Sequence, residues 1–301
     1  MILVTGAGGT VGSELVRRLS SSRIPFRAAY HSAAKLDSAR RAGVDAVSAD
    51  LGNPATMRAA LAGADSMFLL SGNDTEQTSR EISAVRAAAE AGVRRIVKLS
   101  VWGAQTEAFS FARIHRPVEK AIQASGLAWT FLRPNGFMQN LVNSSGQTIR
   151  SQGAFYQSGG GIPISHIDAR DIAAVAAKVL SSQGHDSKTY ELSGPEALTY
   201  FQIADRLSAA LGRRIACVDL APADLKTGML TAGVPGWYAD NILDLLRYYA
   251  EGDPARVTDG VRQVTGREPI AFDRFLADHL GAFQPPAFPD SPASNVKGAA
   301  S

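Results

Sequence analysis

The first twelve residues constrain this chain most. An apolar run, Met1-Ile2-Leu3-Val4, leads into TGAGGTVG, which spaces Gly6, Gly9 and Gly12 three apart. A buried strand that halts at such a loop and restarts as a helix describes a cradle for dinucleotide phosphates. One glycine makes the tight turn, one lets the backbone approach a pyrophosphate, and one lets the helix pack closely on the strand. Free amides and the macrodipole at the helix N-terminus favour the anion. The spacing is GxxGxxG, because a strict GxGxxG read from Gly6 would need glycine where Val11 stands.

Downstream, apolar runs alternate with helical patterns. Strands are expected at Ile2 to Val4, Phe26 to Tyr30, Ala46 to Ala49, Ser66 to Leu70, Ile96 to Ser100 and Ala128 to Leu132. The first helix puts Val11, Leu15, Val16 and Leu19 on one face, with Arg17 and Arg18 off it. This rhythm predicts an α/β fold, a Rossmann-type doubly wound parallel sheet. After Pro134 the pattern changes, and from Thr199, a candidate N-cap, it is mostly helical. The expected division is a nucleotide-binding domain at 1–150, a smaller, mostly helical substrate lobe at 151–283, and a disordered tail at 284–301 rich in Pro, Ala and Ser. A helix near 169–181 and a strand near 189–193 are candidates to pack back on the first domain. Asp168 and Asp171 read most simply as residues that begin or cap that helix.

Composition narrows the class. A chain of 301 residues, 45% hydrophobic, can bury a large core, and a net charge of +3 with scattered basic residues gives no reason to expect nucleic acid. The single cysteine, Cys217, excludes an internal disulfide and reads as a small apolar residue rather than a nucleophile. With Met1 already in the first strand and no apolar run of about 18 residues, neither a signal peptide nor a membrane span is expected, and the expected location is the cytoplasm. The five histidines, at 31, 115, 166, 185 and 279, show no close ligand spacing, so no metal is expected.

The end of the second strand speaks to the cofactor. An NAD site places an acid there to hold the ribose hydroxyls, yet none occurs between Glu14 and Asp37. RAAYHSAAK instead supplies Arg27, His31, Ser32 and Lys35, and a 2′-phosphate prefers cations and hydroxyls to a carboxylate. NADP(H) is therefore favoured, with His31, Ser32 and Lys35 better placed than Arg27, which lies early in the strand.

TGAGGTVG, RAAYHSAAK, Asp50-Leu51, KLSVWGA at 98 to 104 and above all HRPVEKAIQASGLAWTFLRPNGFMQN from His115 to Asn140 resemble the NmrA-like branch of atypical short-chain reductases. The likeness runs on through HIDARDIA at 166 to 173, YELSGPEALT at 190 to 199 and VTGREP at 264 to 269, so it covers nearly everything before the tail. Within the branch the chain is particularly similar to flavin-independent azoreductases. The resemblance implies that Gly6, Ala7, Gly8, Gly9, Thr10, Val11 and Gly12 hold the pyrophosphate and that His31, Ser32 and Lys35 hold the 2′-phosphate. It implies Asp50 and Leu51 at the adenine edge, and Leu70, Ser71 and Gly72 along the adenosine ribose and pyrophosphate. Ser100, Arg133, Pro134 and Asn135 would lie near the nicotinamide.

One feature of typical short-chain dehydrogenases is missing. Their Tyr-xxx-Lys pair, a proton donor and a ribose-orienting lysine, aligns here with Phe111 to His115. Ordinary ketone reduction thereby loses its general acid. Acceptors that delocalise the added charge remain, among them quinones, cationic triphenylmethane dyes and azo dyes, with the protein mainly positioning a flat aromatic substrate. Ser100 and His115 are the candidate catalytic residues, His115 as a partner of the nicotinamide ribose or, more blandly, as a surface residue paired with Glu119. Phe137, Met138, Tyr156 and Trp237 are candidate substrate walls and Asn140 a candidate polar contact, with core packing the alternative for each aromatic. The expectation is a flavin-free, NADPH-dependent reductase of conjugated aromatic acceptors, monomeric or homodimeric, acting on azo dyes, quinones or triphenylmethane dyes. A non-catalytic NADP-sensing regulator is the alternative of another class.

Overall fold

The structure, a computed structural model, describes residues 1–285. The expected tail falls outside the described residues except for Gln284 and Pro285. The first part of the chain forms β1 (Ile2–Val4), α1 (Thr10–Ser21), β2 (Phe26–Tyr30), α2 (Ala33–Arg41), β3 (Ala46–Ser48), α3 (Pro54–Leu61), β4 (Ser66–Leu69), α4 (Gln77–Glu90), β5 (Arg95–Leu99), α5 (Ser110–Ala124) and β6 (Ala128–Pro134). It continues through α6 (Gly146–Gln152), β7 (Ala154–Gln157), α7 (Ala169–Ser181), β8 (Lys188–Leu192), α8 (Tyr200–Leu211) and β9 (Ala216–Asp219). Four further helices follow: α9 (Pro222–Thr231), α10 (Gly236–Glu251), α11 (Gly260–Thr265) and α12 (Phe272–His279).

Seven strands pair in parallel in the order β3-β2-β1-β4-β5-β6-β8. Both sheet faces are covered, which is why the strands read as nearly unbroken apolar runs. Alternate residues of β1 feed the two cores: Ile2 and Val4 pack with Leu15 of α1 and Ile172 of α7, whereas Leu3 packs with Met57 of α3, Val85 of α4 and Ile122 of α5. Each such fully buried side chain contributes about 1.5–3 kcal/mol. Helix α7 is the most enclosed. Ten of its 13 residues are buried, its alanines allow close approach to α1, and Asp168 caps its N-terminus by accepting from Arg170 N.

The observed edges differ from the sequence expectation for local reasons. β4 stops at Leu69 because Leu70 N donates to Thr5 Oγ1 instead of a neighbouring strand. β6 runs on to Pro134 because β8 continues beside it, with Pro134 opposite Leu192. Beyond the sheet, Met138, Ile149, Phe155, Leu207, Phe272 and Phe275 share a separate core. That lobe is not purely helical, since β7 and β9 form a second, two-stranded parallel sheet. Thr199 begins α8 with a full capping box shared with Gln202. No helix of the described residues is long and apolar enough to cross a membrane.

Candidate functional site

The loop between β1 and α1 tolerates no side chain at two positions. Gly6 has φ +62°, and a Cβ there would lie 2.7 Å from Leu70 O; a Cβ on Gly12 would lie 2.1 Å from Gly6 O. Gly9 N donates to Gly6 O at 3.0 Å, closing the turn. Gly9 is also the N-cap of α1 and supplies no side-chain cap, so the helix's first amides stay available to a ligand. The crevice lies where the sheet order reverses between β1 and β4, beyond the strands' carboxyl ends. These features fit a dinucleotide pyrophosphate.

Beside the loop, His31, Ser32 and Lys35 are exposed at the end of β2. Ser32 caps α2, and Lys35 Nζ donates to Gly8 O at 2.7 Å, which sets the cation against the phosphate loop. Arg27 is committed elsewhere, in an ion pair with Asp45 at 3.1 Å. Asp50 is exposed, with Oδ1 accepting from Gly52 N at 2.9 Å, and Leu51 is half-buried behind it. Leu70 is anchored by Thr5, whose Oγ1 donates to Leu70 O at 2.8 Å. Gly72 faces open space.

At the carboxyl ends of β5 and β6 the expected residues meet others that the sequence reading did not single out. Lys98 and Glu81, both fully buried, form an ion pair at 2.9 Å. Lys98 also donates to Leu99 O and lies 3.2 Å from His115 Nδ1, while Ser71 Oγ donates to Glu81 Oε1 at 2.8 Å. His115 is therefore not the surface partner of Glu119. Burial, with Lys98's charge adding to it, holds the imidazole well below its usual pKa, so the ring is neutral. Glu119 is instead gripped by Arg133, at 2.9 Å and 2.7 Å, and by Arg116 at 2.9 Å. Burial pushes its carboxyl up, but those bonds outweigh burial and hold it below the usual range. Ser100 Oγ is enclosed near this pair without a well-aligned hydrogen bond. One signal for Lys98 was present in the sequence: a cation inside a strand buried on both faces needs a partner.

The remaining candidates have other surroundings. Asn135 is fully engaged: Nδ2 donates to Ser165 Oγ and Pro254 O, and Oδ1 accepts from Tyr249 at 2.8 Å and from Gly136 N. Its side chain ties β6 to the second lobe and has no donor left over. Pro134 O accepts from Trp102 N at 2.9 Å. Phe137 is half-buried and bridges to Ile167 at the edge of the main core, and Asn140 is exposed. Met138 is 3% exposed inside the second-lobe core, so packing and not an open wall describes it. Tyr156 is 40% exposed on β7 with its hydroxyl on Gln152, and Trp237 packs edge-on against Tyr238. Burial pushes the Cys217 thiol up to about 11, which leaves it protonated and a poor nucleophile.

A seven-stranded parallel sheet with a glycine cradle at its switch point defines a Rossmann-type dinucleotide-binding protein. More particularly, the chain belongs to the NAD(P)H-binding family, whose model matches residues 6–183. It is 39% identical over 287 residues to NAD(P)H azoreductase of Xenophilus azovorans, covering 94% of this chain and 99% of that one. It is 37% identical to (4-alkanoyl-5-oxo-2,5-dihydrofuran-3-yl)methyl phosphate reductase of Streptomyces griseus, covering 95% and 100%. The NADPH-dependent quinone oxidoreductase of Escherichia coli, solved with NADPH, superposes with a TM-score of 0.84 at 27% identity, covering 93% and 100%. The enzyme class shared with these relatives is NAD(P)H-dependent oxidoreductase.

Proposed function

We propose that the chain is a flavin-free, NADPH-dependent reductase of conjugated aromatic acceptors that reductively cleaves azo dyes. The observation that carries the choice of NADPH is the acid-free end of β2, where Lys35 reaches the phosphate loop with His31 and Ser32 beside it. The choice of azo acceptors is supported by near-full-length similarity to a protein named as an azoreductase. When bound, NADPH supplies the hydride. Gly6 to Gly12 hold the pyrophosphate on the amides of α1, and Lys35 neutralises the 2′-phosphate. The Glu119–Arg133 pair ties α5 to the end of β6, beside which the acceptor is positioned. An azo bond able to tautomerise to a quinone hydrazone offers the same conjugated electrophile as a quinone, so quinones are the second acceptor class. The similarity to the quinone oxidoreductase favours that second reading.

An acceptor panel tests the proposal. NADPH oxidation by the purified protein is measured with azo dyes, quinones and cationic triphenylmethane dyes. The highest kcat/KM is expected on azo dyes. A higher value on quinones makes azo reduction incidental, and no oxidation with any acceptor overturns the catalytic reading.

A further inference from the structure

The proposed function leaves one chemical need open, since Phe111 and His115 stand where typical short-chain dehydrogenases carry their Tyr-xxx-Lys pair. Hydride addition to a quinone or an azo bond creates an anion on oxygen or nitrogen, and that atom must gain a proton. The residues around Lys98 are arranged to supply one. Lys98, enclosed one residue before the carboxyl end of β5, sits 2.9 Å from Glu81 of α4 and 3.2 Å from His115 Nδ1 of α5. An ammonium has hydrogens to donate and no lone pair, so the facing Nδ1 must be the acceptor. In the neutral ring the hydrogen then lies on Nε2. Nε2 has no hydrogen-bond partner among the described residues and is not among the enclosed, unpartnered polar atoms. The donor end of the ring is thus free, while its other end is fixed by a buried charge. On the far side Glu81 accepts from Ser71, which is only half-buried and lies two residues beyond the end of β4 at the same sheet edge.

Resting on the proposed function, we infer that Glu81, Lys98 and His115 form a proton relay to the reduced acceptor, with His115 Nε2 as the delivering atom. As the acceptor takes up hydride and is reduced by two electrons, its oxygen or nitrogen forms a bond to the Nε2 hydrogen. The Nε2–H bond breaks and a Lys98 proton moves to Nδ1, so the imidazole ends neutral and Lys98 becomes an amine. The resting state returns when Nε2 takes a proton from water as the reduced product leaves and Nδ1 gives its proton back to Lys98, with Glu81 compensating the charge throughout. His115 touches the acceptor and is the catalytic residue. Lys98 and Glu81 act through it as positioning residues: Lys98 sets its tautomer and lends Nδ1 a proton during the transfer, and Glu81 holds Lys98 in place.

A cationic triphenylmethane dye provides the discriminating acceptor, because hydride addition makes it neutral and no proton is needed. Turnover is compared on a quinone and on the cationic dye for the wild type, His115→Gln and the charge-balanced double variant Lys98→Met with Glu81→Gln. His115→Gln can donate a hydrogen bond but cannot pass a proton through. For both variants the quinone-to-dye ratio of kcat is expected to fall about a hundredfold. The wild type is expected to show a solvent deuterium isotope effect on the quinone and none on the dye. A reading independent of turnover comes from nitrogen NMR of histidine-labelled, cofactor-free protein, with His115→Gln assigning the signal. It should show the Nε2–H tautomer in the wild type and a tautomer mixture in the double variant. Equal losses on both acceptors, no solvent isotope effect on the quinone, or an Nδ1–H tautomer overturns the relay. Failure of the wild type on every acceptor sinks the functional reading instead, and the NMR result still decides whether the His115 geometry is right.

Discussion

Lys35 and Gly12 carry the cofactor argument at the level of single residues. Lys35→Glu replaces an attraction for the 2′-phosphate with a repulsion beside Gly8. NADPH binding, followed by fluorescence titration, should weaken about 10- to 100-fold, the size of one charge-assisted hydrogen bond, with NADH binding little altered. An equal loss for both cofactors would refute the assignment. Gly12→Ala places a methyl 2.1 Å from a backbone oxygen that cannot swing aside. Urea unfolding should show a loss of about 2–4 kcal/mol, together with weaker cofactor binding. His31, Ser32 and Lys35 were legible in the sequence because a missing carboxylate is a matter of residue type alone. Lys98 and Glu81 were not singled out, because their pairing joins a strand to a preceding helix and depends on packing.

Among elements, the passage from β6 to α7 holds the two lobes in register. Asn135 bonds Ser165, Pro254 and, through Oδ1, Tyr249 of α10. Asn135→Ala leaves the buried Tyr249 hydroxyl without its partner, whereas Ser165 and Pro254 keep the bonds between them, and urea unfolding should show a loss of about 1–3 kcal/mol. His166 lies in the same passage, where burial lowers its pKa to about 4, and its Nδ1 has no partner. Between pH 4 and 6.5 the unfolded chain binds more protons at this site than the folded one does. Its contribution is therefore complete above pH 6.5 and disappears as pH falls towards 4, at most about 3 kcal/mol and less for the ring's partial exposure. Unfolding free energies measured at pH 7 and pH 5 should converge when His166→Phe replaces the wild type. An unchanged difference would place the pH dependence elsewhere. The six expected strands were readable because parallel strands covered on both faces read as mainly apolar runs. β7 and β9 were not, since each is four residues long, partly exposed, and paired with a segment far along the chain.

Across the whole molecule, the cradle of α1, the cationic end of β2 and the buried charges at the ends of β5 and β6 all open on one edge of one sheet. The cradle and the sheet were legible because backbone demands are written directly in glycine spacing and apolar runs. The acceptor side was less so. Met138 and Tyr156 could not be sorted into core and surface without the lobe's packing, which one sequence does not display. Under the proposed function this edge supports direct NADPH-dependent azo reduction without a second cofactor. The most direct measurement is the amount of NADPH oxidised per azo bond cleaved by protein stripped of flavin, under anaerobic conditions. Two NADPH are expected per bond, one for each two-electron step. A protein that oxidises no NADPH until flavin is added would contradict it.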